Sequence, residues 1–373
     1  MTNQRQTTNK SDHRVLIFPA GMPRSLSFLD QALNEGKEVI GSSSLRYDPE
    51  KSKYPKWCYL PFVTDENFDQ SLKDILSELS IDSIYTPNAA VWNYLKFALP
   101  RINSSVSLIN ESPIQQEMLP YKKAIDFAKN VLSTPIEIGN EEHPAPLLDE
   151  LTIAAIFRYT ELIPGMCDHE KFRALCEIFR LAPSGDIVEI GSWCGKSAFI
   201  LANLANLYQV GNVLCVDPWS NNHVMQHDDK GNFVNNVDYM ARDSLDIFKI
   251  NLILFFKNSL NYIQLPSKDG AKFFRKNNII YTKDFSKTIF QGKISILHID
   301  GNHDYDNVKE DVISWIDMVV PGGWVVFDDY IWPYGDGPKK VGDEFILKYK
   351  EKINLSFVMG SALFIQLLNN ISN

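Results

Sequence analysis

Two stretches of this sequence end in carboxylates at a spacing that invites chemistry. They are Ile296-Leu-His-Ile-Asp-Gly-Asn-His-Asp-Tyr305 and Pro321-Gly-Gly-Trp-Val-Val-Phe-Asp-Asp-Tyr330. Each starts as a short apolar run, as a buried strand does, and turns polar at its end. If the two strands share a parallel sheet, Asp300, Asp328 and Asp329 meet at its carboxyl edge, where such sheets bind ligands. Three carboxylates crowded together repel unless a cation neutralises them. An all-oxygen set suits Mg²⁺, Mn²⁺ or Ca²⁺. The plainer alternatives are that Asp300 caps a helix starting near Asp306, and that Asp328-Asp329 is a solvated loop.

A second constellation lies upstream. Ile187-Val-Glu-Ile-Gly-Ser-Trp-Cys-Gly-Lys-Ser197 sits where an apolar strand turns into a helix. Gly191 and Gly195 let the backbone turn tightly and approach a ligand. Glu189 lies at the strand end, and Asp217 ends the next strand, where a carboxylate can accept both hydroxyls of a ribose. A dinucleotide fingerprint is absent, because Ser192 and Trp193 stand where G-x-G-x-x-G needs its second glycine. A P-loop wants four residues between its first glycine and Gly-Lys-Ser, and only Ser192, Trp193 and Cys194 intervene here. The remaining pattern, E-x-G-x-x-x-G after the first strand with an acid after the second, resembles the S-adenosylmethionine (SAM) site of class I methyltransferases. That resemblance implies cofactor contacts from Glu189, Gly191, Ser192, Gly195, Ser197 and Asp217. Trp219 either covers the adenine edge or simply packs.

The acidic stretches sharpen the resemblance. D-G-x-H followed by P-G-G-x-x-x-x-D-D is similar to the metal-dependent O-methyltransferases, of both the catechol type and the macrocin type of antibiotic biosynthesis. The resemblance covers roughly residues 168–373. It implies that Asp300, Asp328 and Asp329 hold Mg²⁺ (or Mn²⁺ or Ca²⁺) and that a base three residues after Asp300, here His303, takes the proton of the acceptor. An imidazole with an ordinary pKa of about 6.5 suits that task, and Asp300 and His303 are the expected catalytic pair. A hydrogen-bonded loop histidine is the alternative. The expected reaction is transfer of the SAM methyl group to a hydroxyl of a small molecule, of natural-product or sugar type. The stretch 266–292 departs from the compact family pattern as an insertion and leaves the acceptor open.

Other polar residues read more blandly. His298 alternates into its strand as a satisfied core residue. His223, His227, Asp228 and Asp229 read as a solvated loop that could touch cofactor or substrate. Trp332, Tyr334 and the Gly335-Asp-Gly337 turn could wall an acceptor pocket. The Phe- and Tyr-rich stretch 248–281 reads as core.

These residues need a scaffold, and the patterning supplies an α/β one. Strands at 186–190, 213–217, 262–265, 294–300 and 323–328 alternate with helices at 197–208, up to 256 and at 308–318, which predicts a mostly parallel sheet. Ser356–Met359 and Ala362–Leu367 flank Gly360-Ser361 as an antiparallel edge pair. The resemblance implies seven strands. Residues 14–113 alternate likewise, as a second Rossmann-like domain. Val15-Leu-Ile-Phe-Pro-Ala-Gly and Tyr85-Thr-Pro-Asn88 resemble the domain that precedes ATP-grasp ligases, although no ATP-grasp domain follows. Residues 1–13 read as a disordered tail and 114–167 as a helical linker, with helices at 114–132 and 147–162.

Composition bounds the rest. The 373 residues carry a formal net charge of -9, which argues against a nucleic-acid backbone as the main partner. Five cysteines without a C-x-x-C pair imply neither a disulfide framework nor a thiolate zinc site. There is no signal-peptide pattern and no apolar run of bilayer length. The expectation is a cytoplasmic enzyme acting on a small-molecule acceptor without membrane or nucleic acid, with a homo-oligomer allowed. The competing readings are a metal-independent methyltransferase, a catalytically inactive SAM- or nucleotide-binding scaffold for a biosynthetic partner, and a ligase-like role centred on the first domain.

Overall fold

The structure is a computed structural model that describes residues 13–136, 138, 144–221, 230, 241–368 and 370–371. The expected N-terminal tail lies almost wholly outside these residues, as does most of the polar loop after Asp217. The chain divides into two compact units, Met1–Lys122 and Lys123–Asn373.

In the first unit the elements run β1 (Arg14–Ile17), α1 (Pro23–Asn34), β2 (Glu38–Ser43), β3 (Lys56–Tyr59), α2 (Phe68–Glu78), β4 (Ser83–Tyr85), α3 (Ala89–Ile102) and β5 (Ser107–Leu108). The strands pair in parallel in the order β3-β2-β1-β4-β5. Apolar stripes decide which face each helix covers. Phe68, Leu72 and Leu76 of α2 join Val91, Leu95 and Leu99 of α3 against one side of the sheet, and Leu29 and Ala32 of α1 pack on the other. Asn88 starts α3 by accepting from the Ala90 and Val91 amides. α2 starts at Phe68, with Asp65 accepting from the Asn67 amide just before it.

α4 (Pro113–Ser133) runs across the division between the units. The second unit continues with α5 (Glu150–Thr160), α6 (His169–Leu181), β6 (Asp186–Ile190), α7 (Lys196–Tyr208), β7 (Val213–Val216), α8 (Ala241–Leu252), β8 (Leu260–Ile263) and α9 (Ser267–Lys276). It ends with β9 (Ile279–Thr282), β10 (Ser286–Ile289), β11 (Ile294–Ile299), α10 (Tyr305–Trp315), β12 (Val319–Phe327), α11 (Gly337–Tyr349), β13 (Ile353–Met359) and β14 (Ala362–Leu367). Seven strands form one sheet in the order β13-β14-β12-β11-β6-β7-β8. Only β14 runs against its neighbours. This is the α/β sheet with an antiparallel edge that the sequence predicted. The strands at the centre are buried throughout because both faces are covered. α5, α6, α7 and α8 bury one face, and α9, α10 and α11 the other.

The stretch read as an insertion is integrated into this core. It supplies α9 and the β9–β10 hairpin. Asn261, buried in β8, donates to the carbonyls of Ile280 and Ser286 and so ties the hairpin to the sheet. Residues 147–162, expected as part of a linker, give α5, whose Ile153, Ile156 and Phe157 belong to the second unit's core. Asp149 caps that helix through the Thr152 amide. Among the described residues no helix is long and apolar enough to cross a membrane.

Candidate active site

The strand order reverses between β6 and β11, so a crevice opens at their carboxyl ends. A cavity of about 800 Å³ occupies it, within the range of small-molecule sites. Gly191, Ser192, Ser197 and Asp217 line one stretch, and Asp300, His303, Asp328 and Asp329 another.

Gly191 has φ +81°, and a Cβ there would lie 2.1 Å from the Asp300 carbonyl oxygen. Only glycine lets β6 leave the sheet this close to the end of β11. Asp217 then fixes the turn. Its Oδ2 accepts from the Ser192 and Trp193 amides at 3.1 and 3.0 Å, and its Oδ1 from the Trp219 amide at 2.7 Å. Burial pushes the Asp217 carboxyl up, and those three N–H groups pull it back. Trp193, Trp219 and Asp329 all hold positive φ, at 43°, 42° and 49°. Left-handed backbone at three bulky or charged residues beside one cavity is strain concentrated where a site is built.

Three expected cofactor residues stand behind the wall rather than on it. Trp219 is 5% exposed, donates from Nε1 to the Trp193 carbonyl at 2.8 Å, and packs on Phe248 and Tyr262. It braces the turn instead of covering a ligand. Gly195 starts α7 at φ +88°, against Leu252 and Phe248. Glu189 is fully buried and accepts from the Ser192 hydroxyl at 2.6 Å.

The acidic cluster assembles as the sequence anticipated, with additions. β11 and β12 are paired neighbours, so Asp300 and Asp328 leave the sheet side by side. Asp300, His303 and Asp329 present donor atoms within 4.8 Å of one another, as do His298, Asp300 and Asp328. His303 Nε2 lies 3.5 Å from Asp329 Oδ2 and 4.0 Å from Asp300 Oδ1. Both ring nitrogens of His303 are buried and without a hydrogen-bond partner. Trp332 packs edge-on against this ring at 4.7 Å. Asp300 does not cap the following helix, whose N-cap is Asp304.

Sequence reasoning missed Lys171. It lies on α6, is 1% exposed, and bonds its ammonium to Asp328 Oδ2. The signal was there, because Lys171 falls on the apolar stripe of α6 with Ala174, Leu175 and Ile178. Charge on an apolar stripe announces a buried partner. Asp168 caps α6 through the Lys171 amide and also accepts from the Ser361 amide and hydroxyl, which stitches the helix to the β13–β14 turn. His298 extends the array, with Nδ1 3.3 Å from Glu189 Oε1 and Nε2 3.8 Å from Asp328 Oδ2. Neither contact has hydrogen-bond geometry, so the satisfied core residue expected there is a buried imidazole held between two acids.

The electrostatics follow from this packing. Burial pushes Asp328 up, but the Lys171 ammonium outweighs it and holds the carboxyl well below the usual range. Burial and then the Asp328 charge push Asp300 far above it. Asp329 rises for the same two reasons. Burial pushes His303 down against the pull of Asp329 and Asp328, which leaves a neutral imidazole. Burial alone would lower His298, but Glu189 beside it raises it. The candidate loop residues His223, His227, Asp228 and Asp229 lie outside the described residues.

Residues 188–330 match the family described as a methyltransferase domain. No curated protein matches the chain. Among solved structures the chain is similar to the O-methyltransferase NovP, at 16% identity over 67% of this chain and 99% of that one, with a TM-score of 0.37. It is similar also to CalS11, a TDP-rhamnose 3'-O-methyltransferase of calicheamicin biosynthesis, at 14% identity over 69% and 96% with a TM-score of 0.38. A third is the methyltransferase MycE in complex with Mg, SAH and mycinamycin VI, at 15% identity over 84% and 66% with a TM-score of 0.30. Residues 188–330 of the second unit thus carry a SAM-dependent methyltransferase domain, on a sheet of this order with a glycine turn after its first strand.

Proposed function

We propose that the second unit methylates a hydroxyl of a small molecule and that a divalent cation, Mg²⁺ first among candidates, assists. The observation that carries this reading is His303. Its two nitrogens are buried and unpartnered, and it stands between Asp300 and Asp329 in the cavity that the glycine turn also lines. A neutral imidazole so placed can accept a proton.

The residues present fit a cation. Asp300, Asp328 and Asp329 are three carboxylates gathered around one ammonium, Lys171. Crowded buried acids need protons or cations to coexist. Asp300, Asp328 and Asp329 would hold the cation. When bound, such an ion lowers the pKa of an acceptor hydroxyl.

The chain's own groups do the rest. The Gly191–Gly195 turn and Asp217 hold the donor. The acceptor oxygen attacks the methyl carbon as the carbon–sulfur bond breaks. The sulfonium leaves as neutral S-adenosylhomocysteine, and the hydroxyl proton passes to His303. Alignment of the two reactants carries much of the acceleration. Among the charged side chains lining the cavity acids outnumber bases, which favours neutral or cationic acceptors such as sugars and phenols.

The test is methyl transfer from labelled SAM to a panel of sugars and phenols, with and without EDTA. His303→Ala should lower turnover by about 100-fold or more while S-adenosylhomocysteine binding stays within about threefold. Full turnover by that variant would refute the role of His303. One observation favours a second reading, a metal-independent enzyme, because Lys171 already places a positive charge on Asp328. Turnover insensitive to EDTA would select it.

A further inference from the structure

The acidic cluster already contains a cation of its own. The Lys171 ammonium lines the cavity and bonds to Asp328 Oδ2. The other oxygen of that carboxylate, Oδ1, accepts from the Asp329 amide at 2.9 Å. Asp300 and Asp329 instead lie beside the buried, unpartnered ring of His303. Lys171 is fixed by its helix. It stands in the first turn of α6, where Asp168 accepts from its amide at 2.8 Å. The same carboxylate accepts from the Ser361 amide and hydroxyl, both at 3.0 Å. The turn closes tightly here, because a Cβ on Gly360 would lie 2.0 Å from Asp168 Oδ1. An ammonium on a tied turn, with almost no exposure, has no solvent to swing into when a ligand arrives.

Divalent cations differ in what they ask of a carboxylate. Mg²⁺ takes single oxygens at about 2.0–2.1 Å in an octahedron and keeps several waters. Ca²⁺ takes about 6–8 oxygens at about 2.3–2.6 Å, often both oxygens of one carboxylate. The ammonium on Oδ2 removes that second option at Asp328. It also places a fixed positive charge beside the cation's position, which weakens the hold on any ion. Three carboxylates and one ammonium leave two negative charges, which one divalent ion balances.

We propose that Lys171 selects the cation: by holding Asp328 Oδ2 it limits Asp328 to a single coordinating oxygen, which favours Mg²⁺ over Ca²⁺. The inference rests on the cation of the proposed function. Lys171 acts through Asp328 and is a positioning residue.

The test is calorimetric titration of the full chain with MgCl2 and, separately, with CaCl2. The wild type should bind Mg²⁺ at least as tightly as Ca²⁺. In Lys171→Met, loss of the ammonium should tighten both cations by at least about tenfold. Release of Oδ2 should move the ratio of the two affinities toward Ca²⁺ by about a further tenfold. A merely structural lysine would weaken both cations together and leave that ratio unchanged. The wild-type ratio needs no variant, so it decides even where Lys171→Met does not fold. A wild type that prefers Ca²⁺, or a folded variant that keeps the wild-type ratio, overturns the proposal. A wild type that binds neither cation instead overturns the cation of the proposed function, and this proposal with it.

Discussion

Replacing Lys171 with methionine keeps most of the side chain's volume and removes its charge. The structure sets the magnitude. Lys171 and Asp328 are 1% and 4% exposed and directly bonded. Two unit charges at contact in a medium of effective dielectric 20 attract by about 4 kcal/mol. Removing one member of a buried pair costs about 3–5 kcal/mol, because the other charge stays behind without water. Here the stranded group is a carboxylate beside Asp300 and Asp329, so the upper half of that range applies. Lys171→Met should therefore lose about 4 kcal/mol, a large share of a total stability on the order of 5–15 kcal/mol. Asp328→Asn in the same chain removes the stranded charge, and the double variant should recover at least about 2 kcal/mol of the loss. Urea unfolding of wild type, both single variants and the double variant measures the coupling. Additive losses, or a Lys171→Met loss under about 1 kcal/mol, would mean that the pair does not hold the cluster together as described.

The pH dependence of Asp311 gives a second test. Its carboxyl stands at about 7 in the fold, against about 3.9 in an unfolded chain. The folded state thus binds the extra proton, and this contribution is complete below about pH 4 and lost as pH rises through about 7. Between pH 5 and 8 the wild type should lose about 2–3 kcal/mol relative to Asp311→Asn, and a difference that does not change with pH would contradict the assignment. Glycine substitutions separate conformation from crowding. Gly292→Ala, at φ +70° with open space around it, should cost about 1–2 kcal/mol. Gly191→Ala adds a collision with backbone at 2.1 Å and should cost at least about 4 kcal/mol by thermal unfolding. Equal costs at the two positions would remove the argument for close approach. Trp219→Phe should leave S-adenosylhomocysteine affinity within about fivefold and lower stability by about 1 kcal/mol for the lost Nε1 bond, and a calorimetric loss of more than tenfold would put Trp219 back on the ligand.

The central sheet was legible from its strands because period and length are local properties. Apolar runs such as Ile294–Ile299 can pack only where both faces are covered. Asp300, Asp328 and Asp329 were legible because each directly follows such a run, and parallel pairing brings their ends together. What was illegible depends on three-dimensional neighbours. Trp219 reads the same whether it covers a ligand or braces Trp193, and only the fold shows its indole bonded behind the wall. Lys171 reaches the cavity from the helix just before β6, and Asp311 from α10, far along the chain from the glycine turn. Their one sequence signal is charge on an apolar helical face. The stretch 266–292 looked like an insertion because it departs from the compact family pattern, yet Asn261 and Phe285 anchor it inside the core.

One cavity should hold both SAM and a cation-binding acidic cluster. Calorimetric titration of the full chain with SAM, alone, with Mg²⁺ and after EDTA, tests it most directly. The expected result is micromolar SAM binding together with a separate Mg²⁺ signal that EDTA reverses and that Asp329→Asn removes. SAM binding with no metal signal would contradict the cation and leave a metal-independent methyltransferase. No SAM binding at all would contradict the claim itself.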